Sequence, residues 1–175
     1  MTNPRISLRD RLSIGTTRDL GPTNEVAREA LRNPALVAQL VDALDDDRIV
    51  VPHRAANALK KIQRTNPELL EPFARRILQK ALDTDHMHTR WNLTIILGEL
   101  PLRGRDKSIA IDLMFEALSS HSALQRAFAL TALTNYAHDD ATLRKRIRPI
   151  LQQALTDPSA AIRARTRKLL KQLDS

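Results

Sequence analysis

Two short clusters of polar residues contain side chains of the types that bind metal ions. Asp83, Asp85, His86 and His88 combine the carboxylate and imidazole groups that zinc accepts as ligands. No third histidine is nearby, and the cluster falls between two predicted helices, so we interpret it as a surface turn. The acidic run at 45–47 lacks the glycine and terminal glutamate of a calcium loop and is interpreted in the same way. The sequence therefore predicts no metal site and no cofactor.

Covalent catalysis has little support in the residue types present. The chain has no cysteine, which excludes a disulfide scaffold and a thiolate nucleophile. We find no glycine-rich phosphate loop and no nucleophile with a paired base. We therefore expect a protein that is not an enzyme. No apolar run approaches the roughly 18 residues of a membrane span, and the N-terminus lacks the apolar core of a secretory signal, so a cytoplasmic location is expected.

Positive charge is concentrated at the C-terminal end of the chain. The net charge is +8, and residues 141–175 contain nine lysines and arginines but only two aspartates. The nine are Arg144, Lys145, Arg146, Arg148, Arg163, Arg165, Arg167, Lys168 and Lys171. Such a segment attracts nucleic acid or an acidic protein. The alternative is a solvated cap on the last structural repeat.

An internal repeat organises the chain. An Ala-Leu pair occurs at 43–44, 81–82, 117–118 and 154–155, so that successive paired leucines are 38, 36 and 37 residues apart. Another leucine follows each pair by 15 residues, and apolar residues between them recur at helical spacing. Four glycines and 3% aromatic residues also favour helix over sheet. The pattern predicts an all-α fold of about four helical pairs preceded by a single helix.

Proline positions mark the predicted helix starts. Asn33-Pro34, Asn66-Pro67 and Asp157-Pro158 each place a capping side chain before a proline. The predicted helices lie near 24–32, 34–44, 51–65, 67–82, 87–100, 107–118, 122–137, 141–155 and 158–173. Residues 1–22, with Arg5, Arg9, Arg11 and Arg18, are predicted to form an extended or partly disordered arm. Residues 23–175 then form one domain with units at about 34–65, 67–100, 107–137 and 141–173.

The fourth unit carries a family resemblance. It reads ALTDPSAAIRARTRKLL, with Asp157 near the turn between the helices and Arg163 early in the second helix. In these positions the chain, from about residue 24 to residue 175, resembles the HEAT-repeat family. The resemblance implies an armadillo-like α-solenoid, a right-handed α-α superhelix. Members of this family act as scaffolds, nucleic-acid clamps, enzyme subunits and, rarely, enzymes.

Three arginines occupy one register of the repeat. Arg90, Arg126 and Arg163 each follow the paired leucine by eight residues. The resemblance implies that they brace neighbouring repeats through turn carboxylates and carbonyls, although a row of arginines is also a candidate anion site. In the first unit this register holds Pro52, and Arg54 comes two positions later. We therefore expect the row to be interrupted there.

Helical geometry also predicts which residues point away from the core. At 100° per residue, four positions of each second helix lie opposite its apolar stripe and define a concave face. The residues of that face proposed for partner binding are Lys60, Trp91, Ile95, Leu130, Arg167, Lys168 and Lys171. Trp91 is predicted to project beside Ile95 and Leu130 as an interface anchor. The alternative is that Trp91 fills space between adjacent helices.

The sequence predicts three possible functions, in decreasing order of preference. The first is a non-enzymatic scaffold that binds a protein or peptide, including an acidic one, on the concave face. The second is binding of a nucleic-acid backbone through Arg163, Arg165, Arg167, Lys168 and Lys171. The third is prompted by a resemblance in repeat type to the HEAT-like DNA glycosylases. Those enzymes place a carboxylate one turn from a tryptophan, whereas Ile95 occupies that position after Trp91.

Overall fold

The computed structural model describes residues 6–16 and 19–174. All regular secondary structure in those ranges is helical, which confirms the predicted all-α class. The α-helices are α1 Leu8–Ser13, α2 Thr23–Arg32, α3 Ala35–Asp42, α4 Val50–Thr65, α5 Ala74–Asp83, α6 Met87–Leu97, α7 Gly104–Ala117, α8 Ala123–Ala137, α9 Ala141–Ala154 and α10 Ala160–Asp174. None of these helices is both long enough and apolar enough to cross a bilayer, within the residues described.

The chain divides into two compact units, of which unit 1 is Met1–Ile96 and unit 2 is Leu97–Ser175. In unit 1, the helices α1, α2 and α3 all pack against α4. One side of α4 is completely buried and consists of residues at helical spacing, Val51, Ala55, Leu59 and Ile62. Alanines at this stripe allow neighbouring helices to approach closely, so α4 forms the centre of the unit.

The N-terminal segment differs from the extended arm that the sequence predicted. Residues 8–13 form α1, which begins where the Ser7 hydroxyl accepts a hydrogen bond from the backbone N–H of Asp10 at 3.1 Å. Leu8 and Leu12 are buried, and α1 packs on α4. The apolar pair at i and i+4 explains the docking, because it gives a short helix one apolar side. Arg5 and Arg18, assigned to the arm, lie outside the described residues.

The helix predicted at 67–82 begins later than expected. Pro67–Leu69 and Glu71–Phe73 form 3₁₀ turns, and α5 starts only at Ala74. Pro72 has no N–H group to continue an α-helical ladder, which accounts for the irregular start. The other eight predicted helices are present, with ends that differ by up to three residues.

Unit 2 is built around α8, which packs against α7, α9 and α10. Ala129 and Leu133 of α8 are buried, as are Leu151 of α9 and Leu169 of α10. The Tyr136 hydroxyl donates a hydrogen bond to the carbonyl oxygen of Leu97. Burial raises the pKa of Tyr136, so this side chain remains a neutral donor.

Candidate functional site

The predicted concave face contributes a polar cluster in unit 1. Lys60 Nζ donates a hydrogen bond to Asn92 Oδ1 at 2.6 Å and lies 5.7 Å from the centre of the Trp91 ring. Burial lowers the pKa of Lys60, with smaller contributions from the charges of Arg64 and Lys61. Trp91 is half-buried. The cation of Lys60 is therefore already used within the chain, in a hydrogen bond and in a cation–π contact.

The two aliphatic residues of that face offer little surface to a partner. Ile95 in unit 1 is 6% exposed, and Leu130 in unit 2 is 4% exposed. The sequence predicts that both line a groove beside Trp91. Because these side chains are covered within the chain, a partner could contact almost none of their apolar area.

The three arginines of the repeat register make one common kind of contact. Each guanidinium donates to two carbonyl oxygens at the end of the preceding helix or in the turn that follows it. The acceptors are Ala81 at 3.0 Å and Leu82 at 3.1 Å for Arg90, Ser120 at 2.9 Å and His121 at 3.2 Å for Arg126, and Asp157 at 2.7 Å and Pro158 at 2.9 Å for Arg163. Arg126 also contacts the Asp157 carboxylate at 3.2 Å. The guanidinium of Arg163 is therefore engaged in the chain rather than presented to a phosphate.

Arg54, the displaced arginine of the first unit, binds the N-terminal segment. Its side chain is 1% exposed. The guanidinium donates to the carbonyl oxygens of Leu12 at 2.7 Å, Ile14 at 2.5 Å and Thr16 at 2.6 Å, and to Asp19 Oδ1 at 2.6 Å. We call this arrangement the Arg54 clasp. Sequence reasoning located the interruption of the row but gave no indication of these acceptors.

The basic residues of α9 are largely engaged inside the chain. Arg144 donates to the His138 carbonyl at 2.5 Å, and Arg148 forms an ion pair with Asp174 at 2.6 Å. The guanidinium of Arg146 stacks on the ring of Phe115, with its carbon 3.8 Å from the ring centre. These contacts stabilise unit 2 and leave fewer α9 cations available for a ligand.

Helix α10 presents the exposed cations. The buried side of this helix consists of Ile162, Thr166, Leu169 and Leu173. The exposed basic residues are Arg165, Arg167, Lys168 and Lys171. We call these four exposed residues the α10 basic face.

Three members of the α10 basic face have no partner among the residues that the structure describes. Arg165 donates to Thr131 Oγ1 at 3.1 Å. Arg167, Lys168 and Lys171 make no hydrogen bond or ion pair with another described residue. Arg167 and Lys171 are one helical turn apart, about 6 Å along the axis, whereas phosphates recur about every 3.4 Å along each strand of a duplex. Their long side chains can thus reach neighbouring phosphates of one backbone.

Two histidines stack in unit 1. His53 of α4 is half-buried, and its ring centre lies 5.4 Å from that of His88 of α6. Burial lowers the pKa of His53, and the nearby His88, Arg54 and Lys60 act in the same direction. His53 therefore favours the neutral form in the folded chain.

The stability of the protein should consequently depend on pH in the histidine range. Because the unfolded chain binds the His53 proton more readily, the free energy of unfolding should fall when the solution is acidified from about pH 7.5 to about pH 5.5. His53→Gln should flatten this dependence, as measured by urea unfolding at several pH values. His121→Gln, at an exposed histidine, is the control and should leave it unchanged. Identical pH profiles for wild type and His53→Gln would contradict the assignment.

The possible metal ligands do not assemble into a site within the described ranges. No group of three histidine, aspartate or glutamate side chains there is placed to hold an ion. Asp83 instead accepts hydrogen bonds from the Gln79 amide at 3.0 Å, and His88 stacks on His53.

No protein-family model, curated protein or solved structure was found to match this chain.

Proposed function

We propose that this protein binds the phosphate backbone of a nucleic acid through the α10 basic face. The observation that carries the proposal is the presence of three exposed cations on one helix, Arg167, Lys168 and Lys171, that have no partner among the described residues. Lysines and arginines that neutralise phosphates release condensed counterions, which is the main source of affinity in sequence-independent binding. The net charge of +8 favours association with the same kind of ligand.

Contacts within each unit favour this function over the peptide-binding scaffold, which is the first function that the sequence predicts. Protein interfaces depend on apolar or aromatic anchors that become buried on binding. Ile95 and Leu130 are already buried, and Trp91 is half-buried with Lys60 above its ring. The accessible surface of α10 instead carries positively charged side chains. A protein or peptide partner is the alternative, and the exposed part of Trp91 is the observation that supports it.

We further propose that the helices pair as HEAT-type hairpins. This proposal is supported by Arg90, Arg126 and Arg163, which share one sequence register and each donate to carbonyl oxygens at the end of the preceding helix or in the turn after it. A binding role rather than glycosylase chemistry is supported by Ile95, since an apolar residue occupies the position where those enzymes carry a carboxylate.

The test compares two charge reversals at matched spacing. Arg167→Glu with Lys171→Glu removes two cations from the α10 basic face. Arg28→Glu with Arg32→Glu makes the same change in charge at two exposed arginines that are also four residues apart, on α2. Binding of a fluorescent nucleic acid is followed by anisotropy over a range of salt concentrations.

Loss of two phosphate contacts should weaken binding about 50-fold at about 0.1 M salt and reduce the slope of log K against log salt by about 1.8. The α2 variant should retain most of the affinity. Equal losses in the two variants would show that net charge, not the α10 basic face, determines binding. Binding of polyglutamate but not of nucleic acid would replace the proposal by the acidic-peptide alternative.

A further inference from the structure

We infer that the nucleic acid bound by the α10 basic face is double-stranded. This inference rests on the proposed function and specifies its ligand. It depends on whether the side chains near the α10 basic face can stack on a base.

Proteins that bind single strands stack exposed bases on aromatic side chains or on planar guanidinium groups. Helices α9 and α10 contain no phenylalanine, tyrosine, tryptophan or histidine. The α10 basic face therefore provides no aromatic ring next to the phosphates that it would contact.

The phenylalanine and tyrosine rings of unit 2 each lie against a cation. Arg146 lies 3.8 Å from the centre of the Phe115 ring, and Arg165 lies 5.6 Å from that of Phe128. Lys107 lies 5.9 Å from the centre of the Tyr136 ring, which is itself buried. A base that stacked on the same face of one of these rings would have to displace the cation. The guanidiniums of Arg146 and Arg165 likewise have one face occupied by a phenylalanine, which leaves Arg167 as the one guanidinium of the α10 basic face without such a contact.

Charge alone favours the duplex. The affinity for B-form DNA depends on salt with a slope of about −0.9 per phosphate contact, compared with about −0.7 for a single strand. For three contacts at about 0.1 M salt, this difference corresponds to a roughly fourfold preference for the duplex. Stacking on aromatic rings would instead favour the single strand, by about 1–3 kcal/mol per base. The direction of the preference therefore distinguishes the two modes.

The experiment measures the affinity of the full chain for a labelled DNA duplex of about 20 base pairs and for one of its strands, at the same salt concentration. Trp91 is the only tryptophan, so its fluorescence reports stacking without a label. We expect the duplex to bind about fourfold more tightly and the Trp91 emission to stay unchanged with both ligands. The Arg167→Glu, Lys171→Glu variant should lose affinity for both.

Tighter binding of the single strand, or quenching of Trp91 by it, would overturn the inference and leave phosphate binding by α10 intact. Failure of the wild-type chain to bind either form at low salt would overturn the proposed function as well. These two failures are distinct, because the first requires measurable binding and the second excludes it.

Discussion

Replacement of Arg54 by methionine is expected to lower the free energy of unfolding by about 3 kcal/mol. The guanidinium donates to three carbonyl oxygens and to Asp19, and hydrogen bonds to a charged donor each contribute about 1.5–3 kcal/mol to stability. The estimate is below their sum because Asp19 is half-exposed and can return to water. Methionine is similar in length to the buried aliphatic part of Arg54, so the loss should come from the polar contacts.

The position of these bonds explains why one side chain has so large an effect. Leu12 is completely buried, and its carbonyl oxygen is one of the acceptors. If the Arg54 clasp is removed, the segment that carries Leu12 loses its main polar attachment to α4. Arg54→Lys should recover little of the stability, since an ammonium group cannot donate to several carbonyls in the planar arrangement of a guanidinium.

Urea unfolding of wild type, Arg54→Met and Arg48→Met measures the effect. Arg48 is the matched control, because it also contacts the N-terminal segment, through Asp10 at 2.9 Å, but is 45% exposed. Ion pairs at the surface contribute little to stability, because solvent screens them and two long side chains must be ordered to form them. Limited proteolysis should cut near residues 14–19 faster in Arg54→Met than in wild type. Equal losses of stability in the two variants would show that Arg54 behaves as a surface contact.

The sequence predicted the helices well because their pattern is local. The recurring Ala-Leu pair and the apolar positions around it specify a helical period, and eight of nine predicted helices are found within three residues of their expected ends. The Arg54 clasp has no comparable signal. Its acceptors are mostly backbone carbonyls 38 to 42 residues earlier in the chain, and a carbonyl has no residue type that a pattern can detect.

The candidate surface was predictable only in part, for a related reason. A helical wheel identifies the side of a helix opposite its own apolar stripe, and for α10 that side is exposed at Arg167, Lys168 and Lys171. The wheel does not indicate whether another element covers that side. Ile95 and Leu130 satisfy the same geometric rule and yet are buried. Contacts between helices, rather than the periodicity of one helix, decide which predicted positions remain accessible.

Gly21→Ala is expected to destabilise the protein by about 3 kcal/mol, for a reason that depends on the Arg54 clasp. Gly21 has φ of 45°, and a Cβ atom there would lie 2.6 Å from Arg54 Cζ and 2.8 Å from its Nη1. The guanidinium is held by its hydrogen bonds and cannot move aside without losing them. The substitution therefore combines a left-handed backbone with a steric clash against a fixed group.

Gly104→Ala separates these two costs. Gly104 has φ of 53°, close to that of Gly21, but no atom lies within 4 Å of the position its Cβ would take. Its substitution should cost only the backbone strain, about 1 kcal/mol. The difference between the two alanine variants, measured by urea unfolding, then gives the cost of the clash at Gly21.

The double variant tests whether that clash is with Arg54. In an Arg54→Met background the guanidinium is absent, so the additional cost of Gly21→Ala should fall from about 3 kcal/mol to about 1 kcal/mol. Such a coupling of about 2 kcal/mol lies within the range found for residues in direct contact. If the two substitutions are instead additive, the strain at Gly21 arises from its backbone alone, and the position of the guanidinium does not require a glycine there.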